Sequence, residues 1–140
     1  MSKHKILVVW SNYYKDLAKK QLDSCLLLLE KSSYDTQVEQ VDAGTYEIPA
    51  VIQHYQRHNP YDGYLPLGLL LQGSTDHYAF IWEHVKTCFI QFAMEGVLIG
   101  NGIISAARFD HLTERVESNE RTVEAYNALR YLIQLKEKIR

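Results

Sequence analysis

The clearest chemical signal in the chain is a histidine that follows a glycine-containing turn. Residues 73–78 read Gly-Ser-Thr-Asp-His-Tyr, and they join an apolar run at 65–71, predicted to be a buried strand, to a segment with helical spacing. Free backbone N–H groups at a helix start suit a phosphate or another anion, so Ser74 and Thr75 are predicted to bind one. His77 can then accept and donate protons, because an imidazole has an ordinary pKa of about 6.5.

Composition limits the classes of function. With 140 residues, of which 46% are hydrophobic, the chain is expected to form one domain over residues 1–140 with a substantial core. A net charge of −2 argues against a nucleic-acid or membrane partner, and the lack of a long apolar run favours the cytoplasm. The two cysteines, Cys25 and Cys88, lie on apolar helical faces and are expected to be buried free thiols. No cysteine cluster is present, so no metal site is predicted.

Strand and helix signals alternate along the chain. Strands are predicted at 6–10, 36–41, 65–71 and 97–105, and the last is interrupted by Gly100-Asn101-Gly102. Helices are predicted at 18–31, 50–57, from 78 onward, 108–117 and 120–138. This alternation predicts an α/β fold, a three-layer α/β/α sandwich around a four-stranded parallel sheet, as in flavodoxin-like domains. Ligands of such sheets bind at the carboxyl ends of the strands. That edge is therefore expected to gather residues 10–14, 44–47, 69–77 and 101–105.

The same segments carry distinctive motifs. Residues 44–49 read Gly-Thr-Tyr-Glu-Ile-Pro, residues 72–78 read Gln-Gly-Ser-Thr-Asp-His-Tyr, and residues 100–105 read Gly-Asn-Gly-Ile-Ile-Ser. Arg115 falls ten residues after Ser105. In order and with matching spacing over nearly the whole chain, these motifs resemble those of the 6,7-dimethyl-8-ribityllumazine synthase family. The family's versions are Gly-Ala-Phe-Glu-Ile-Pro, an Arg-Gly-Glu-Thr-x-His-Phe/Tyr turn and Gly-Asn-Gly-Ile-Leu-Thr, and the family keeps an arginine at the position of Arg115.

The resemblance implies a transferase of the penultimate step of riboflavin biosynthesis, working without a cofactor. The enzyme would condense 5-amino-6-(D-ribitylamino)uracil with 3,4-dihydroxy-2-butanone 4-phosphate to 6,7-dimethyl-8-ribityllumazine. His77 would move protons, and Ser74, Thr75 and Arg115 would hold the phosphate.

The resemblance also implies a slot for the pyrimidine ring and its ribityl chain. Tyr13 would stack on the ring, with Trp10 as the alternative if the first loop is shifted. The implied slot residues are Tyr13, Thr45, Tyr46, Glu47, Leu69, Leu70, Leu71 and Asn101.

One departure from the family's motifs concerns the phosphate. Residues 119–121 read Asn-Glu-Arg where the family has Asn-Lys-Gly, so Glu120 replaces a lysine near the phosphate, and Arg121 is the alternative cation. A non-catalytic flavin- or lumazine-binding relative is therefore the alternative function. An unrelated flavodoxin-like redox or signalling domain is a weaker alternative, because residues 10–14 form no Ser/Thr-rich phosphate loop.

Members of the family form homopentamers with active sites between subunits, and some pentamers pair or close into icosahedral shells. The short connection between Arg115 and Asn119 favours a pentamer or paired pentamers here. The partners expected from the resemblance are the small-molecule substrates, further copies of this chain and riboflavin synthase.

Overall fold

The computed structural model describes residues 3–73 and 76–140, and helices and strands alternate along them. The strands are β1 (Lys5–Ser11), β2 (Asp35–Val41), β3 (Gly63–Leu71) and β4 (Gly102–Ala106). The helices are α1 (Lys15–Glu30), α2 (Ile48–His58), α3 (His77–Met94), α4 (Phe109–Ser118) and α5 (Glu120–Ile139), with a 3₁₀ turn at Thr45–Glu47 before α2.

The four strands form one parallel sheet in the order β2-β1-β3-β4. The predicted α/β fold with a four-stranded parallel sheet and flavodoxin-like layers is confirmed. Because all strands run the same way, their carboxyl ends meet at one edge of the sheet.

Helices cover both faces of the sheet, and the alternation of side chains along β1 shows how. Ile6, Val8 and Trp10 are buried in a core with residues of α1, α4 and α5. Leu7 and Val9 are buried in the opposite core, with residues of α2 and α3. Side chains of a strand point alternately to its two faces, so this seven-residue strand contributes to both cores.

The fourth strand is shorter than the predicted segment 97–105. Ile99 makes an isolated bridge with Tyr64, and regular pairing with β3 begins at Gly102. The chain between these points packs directly on α5, since a Cβ on Gly100 would collide with the backbone carbonyl of Ala125. The predicted segment 97–105, with its interruption at residues 100–102, therefore forms a bridge at Ile99 and a regular strand only from Gly102, because the contact with α5 lies between the two.

Two local features fix the starts of helices. The 3₁₀ turn before α2 is closed by Glu47, whose Oε1 accepts a hydrogen bond from the Gly44 N–H at 3.0 Å, and Pro49 then lies in the first turn of α2. Asn119 joins α4 to α5 in a left-handed conformation, with φ of 62°.

Within the described residues, no helix is long and apolar enough to cross a membrane.

Candidate active site

A pocket of about 550 Å³ opens at the carboxyl edge of the sheet, between the end of β3, the 3₁₀ turn and the start of α3. Eight of the residues predicted for the site lie together on its walls: Tyr13, Thr45, Tyr46, Glu47, Leu69, Leu70, Leu71 and His77. The pocket is large enough for a small aromatic ligand.

The first wall is the loop that follows β1. The Ser11 hydroxyl donates to the carbonyl of Ala43 at 2.5 Å, which ties this loop to the segment after β2. Tyr13 then projects into the pocket with most of its ring exposed, and Tyr14 packs edge-on against it with ring centroids 5.0 Å apart. Trp10 is buried in the core beneath. Of the two stacking candidates, Tyr13 is the one that the fold places at the pocket.

The 3₁₀ turn is the second wall, and β3 approaches it closely. Thr45 is buried, and a Cβ on Gly68 would lie 2.7 Å from its Oγ1. Glu47 uses one carboxylate oxygen to close the turn, so the turn and its acid are held as one unit. Leu69, Leu70 and Leu71 at the end of β3 continue the lining of the pocket.

Tyr46 links the 3₁₀ turn to α3. Its ring stacks on Phe80 at a centroid distance of 5.9 Å and an angle of 4°, and on His84 at 3.9 Å and 20°. Tyr46 and Phe80 both line the pocket, whereas His84 lies behind them.

His77 is the first residue of α3, and it faces both the pocket and solvent. Gly73, with φ of 61°, turns the chain out of β3 towards this helix. The predicted phosphate ligands Ser74 and Thr75 lie outside the described residues, so their role stays a prediction.

Arg115 lies one strand away from the pocket. Its Nη1 donates to the carbonyl of Ser105, and Ser105 pairs in register with Leu70, which lines the pocket. The guanidinium is exposed and so keeps further N–H donors for an anion at this end of the sheet.

The substitution at the start of α5 has a local physical reason. Glu120 occupies the first position of that helix, where a carboxylate interacts favourably with the positive end of the helix dipole. Arg121 lies 3.8 Å from Glu124 on the same helix. The first turn of α5 thus stabilises its own helix, and Glu120 adds negative charge where the family keeps a lysine.

Asn101 lies outside the pocket. Its Oδ1 accepts a hydrogen bond from the N–H of Ile103 at 3.0 Å, and the residue lines a separate apolar groove of about 1030 Å³. This "α3 groove" runs along one side of α3, and its lining includes Tyr78, Trp82, Phe89, Ile90, Leu98 and Asn101. Asn101 therefore does not reach the pocket formed by its own subunit.

Several pocket residues were missed by the sequence analysis. Tyr14, Tyr78, Phe80 and Ile81 all line the pocket. The signal for Phe80 was its spacing, since a residue three positions after His77 lies on the same helical face. Burial raises the pKa of the Tyr14 phenol, and the neighbouring Tyr13 raises it further, so Tyr14 is a neutral hydrogen-bonding group at this wall.

Comparison with known proteins identifies the family. A profile of 6,7-dimethyl-8-ribityllumazine synthase matches residues 3–137. Proteins of that name include one from Agrobacterium fabrum, 29% identical over 147 residues that cover 99% of each chain, and one from Novosphingobium aromaticivorans, 26% identical over 96% of this chain and 97% of that protein. A third, from Jannaschia sp., is 27% identical over 81% of this chain but only 63% of its own length. The chain belongs to the 6,7-dimethyl-8-ribityllumazine synthase family, as its motifs predicted, and the transferase function in riboflavin biosynthesis inferred from those motifs is the one this family carries.

Proposed function

We propose that this chain condenses 5-amino-6-(D-ribitylamino)uracil with 3,4-dihydroxy-2-butanone 4-phosphate in the pocket at the carboxyl edge of the sheet. The observation that carries the proposal is the convergence of eight residues, chosen from motif positions alone, on one pocket with His77 at its mouth.

The reaction joins the 5-amino group to the ketone as a carbinolamine, which loses water to become an imine. Loss of the C3 proton and of phosphate from C4 then leaves an enol, which becomes a ketone at C3. Attack of the ribitylamino nitrogen on this new ketone, with loss of a second water, closes the ring. Each of these steps moves a proton. His77 lines the pocket and supplies an imidazole, a group that can both accept and donate a proton, so it is proposed to carry these protons.

The remaining residues bind and orient. Tyr13 offers an exposed ring for the pyrimidine, while the backbone of residues 69–71 and the Glu47 carboxylate offer partners for its polar edge and the ribityl hydroxyls. Arg115, together with Ser74 and Thr75, is proposed to hold the phosphate.

We further propose a homo-oligomer, with a pentamer as the expected form. The α3 groove supports it, because Ile90 and Met94 leave large apolar side chains exposed on this helix. Asn101 supports it too, since it lines that groove and can serve a site only across a subunit boundary. Sedimentation velocity tests the assembly. Riboflavin synthase as a partner and a cytoplasmic location stay predictions; the free thiols Cys25 and Cys88 agree with the latter.

The function is tested by mixing the purified protein with both substrates and following the absorbance of the lumazine, after subtraction of the spontaneous reaction. His77→Ala is expected to lower kcat by about 10²-fold or more and to change pyrimidine binding little. His111→Ala, on the exposed face of α4, is the control and should keep the wild-type rate.

A second candidate is a relative that binds flavin or lumazine without turnover, and the acidic Glu120 favours it. In that case folded, oligomeric protein would bind riboflavin tightly while forming no product above the spontaneous rate. A product rate proportional to protein concentration would exclude it.

A further inference from the structure

His84 makes the closest aromatic contact of the candidate site without touching the pocket. Its imidazole lies nearly parallel to the Tyr46 ring, with centroids 3.9 Å apart and an angle of 20°. Tyr46 is the middle residue of the 3₁₀ turn, with Thr45 before it and Glu47 after it. Two side chains of α3, Phe80 and His84, therefore contact the middle residue of the turn that walls the pocket, and His84 makes the closer contact.

The imidazole is itself held in place. His84 is half-buried, and the Cys88 sulfur, one helical turn further on, lies 3.9 Å from both ring nitrogens. Burial raises the pKa of the Cys88 thiol, so an uncharged group packs against the ring. The ring thus contacts both Tyr46 and Cys88.

The position of His84 on α3 connects two parts of the site. His77 and His84 are seven residues, or about two helical turns, apart and share a helical face. The stack therefore joins the turn that faces the pyrimidine to the helix that presents the proton-transferring histidine, at a distance set by the rigid helix between them.

We propose that His84 is a positioning residue for the reaction: its stack on Tyr46 fixes the 3₁₀ turn against α3 and so fixes the pyrimidine-binding wall relative to His77. The inference rests on the proposed function for the identity of the ligand. It assigns the imidazole a packing role, so the flat ring matters and its nitrogens do not.

The test compares His84→Ala with His84→Phe in steady-state kinetics on both substrates. An aromatic stack of this kind corresponds to about a two- to tenfold change in affinity. His84→Ala is expected to raise KM for the pyrimidine by that factor, with kcat within about twofold of wild type, and His84→Phe is expected to restore the wild-type KM. Tyr46→Ala combined with His84→Ala should raise KM no further than Tyr46→Ala alone, because both remove the same contact.

Three outcomes would overturn the proposal: an unchanged KM in His84→Ala, a His84→Phe variant as impaired as His84→Ala, or a loss confined to kcat. Circular dichroism of each variant identifies a folding defect, and His84→Phe retains the ring volume if His84→Ala fails to fold. If the wild-type protein shows no turnover, the proposed function fails, and the same variants are compared by fluorescence titration with 6,7-dimethyl-8-ribityllumazine. A weaker affinity in His84→Ala that His84→Phe restores would still support the positioning role, and equal affinities would refute it.

Discussion

Replacing Gly68 by alanine tests the closest approach of the sheet to the candidate site. The new Cβ would lie 2.7 Å from Oγ1 and 3.1 Å from Cγ2 of Thr45, and 3.1 Å from Cδ1 of Ile48. The Ile48 methyl is the end of a flexible side chain and can move, but Thr45 is buried in a turn closed by Glu47. Inserting a methyl group into such a core costs about 1–3 kcal/mol of unfolding free energy.

The strain can be separated from other effects by removing the atoms that cause it. Thr45→Ala deletes both Oγ1 and Cγ2, so it should relieve most of the clash created by Gly68→Ala. We expect the double variant to lose at least about 1 kcal/mol less than the sum of the two single losses. The assay is urea unfolding followed by tryptophan fluorescence at one fixed protein concentration, because subunit association shifts apparent stability.

Gly96→Ala is the matched control. Its Cβ would meet nothing within 4 Å, but its φ of 79° disfavours any side chain. We expect a loss of about 1–2 kcal/mol from backbone strain, and Thr45→Ala should not relieve it. Strict additivity of Gly68→Ala and Thr45→Ala would refute the assignment of the loss to this contact.

Three further predictions concern single side chains. Arg115→Ala should raise KM for the butanone phosphate about tenfold or more while pyrimidine binding is kept, and an unchanged KM in the kinetic assay would exclude its phosphate role. The hydrogen bond to Glu39, together with burial and the Glu39 charge, raises the pKa of Tyr55 from 10.0 to about 12. The interaction therefore stabilises the fold fully below pH 10, and this stabilisation is lost as pH rises towards 12. In an ultraviolet titration, Glu39→Ala should bring the pKa of Tyr55 back towards 10. Burial raises the pKa of the Cys25 thiol to about 12. An aromatic disulfide reagent should therefore label the half-buried Cys88 first and Cys25 only on unfolding. Rapid labelling of both thiols in the native protein would contradict the burial of Cys25.

The fold was predictable because the signals that decide it are local. Periodicity within each segment separated strand from helix, and the alternation of the two required a parallel sheet. The order of the chain then sent the carboxyl ends of the strands to a common edge, which is why motif residues far apart in sequence line one pocket. The interruption of the fourth strand was predictable from residues 100–102, but its cause was not, because it depends on a contact with α5 twenty-five residues later.

The sequence left open whether Trp10 or Tyr13 stacks on the ligand, although the alternation of side chains along β1 already favours a buried Trp10. Trp10 follows Ile6 and Val8 at intervals of two and is buried on the same face of the sheet. The contact of His84 with Tyr46 could not be found in that way. It depends on where the 3₁₀ turn lies against α3, and no pattern within either segment specifies that distance.

Tyr78 lines both the pocket and the α3 groove, and its hydroxyl accepts a hydrogen bond from the Trp82 indole at 3.1 Å. A neighbouring subunit that fills the groove and shifts this ring would alter the affinity of the pocket. Linkage is reciprocal, so a ligand in the pocket would change the association constant of the subunits by the same factor. The degree of subunit assembly would then depend on substrate concentration, and the apparent affinity for substrate would depend on protein concentration.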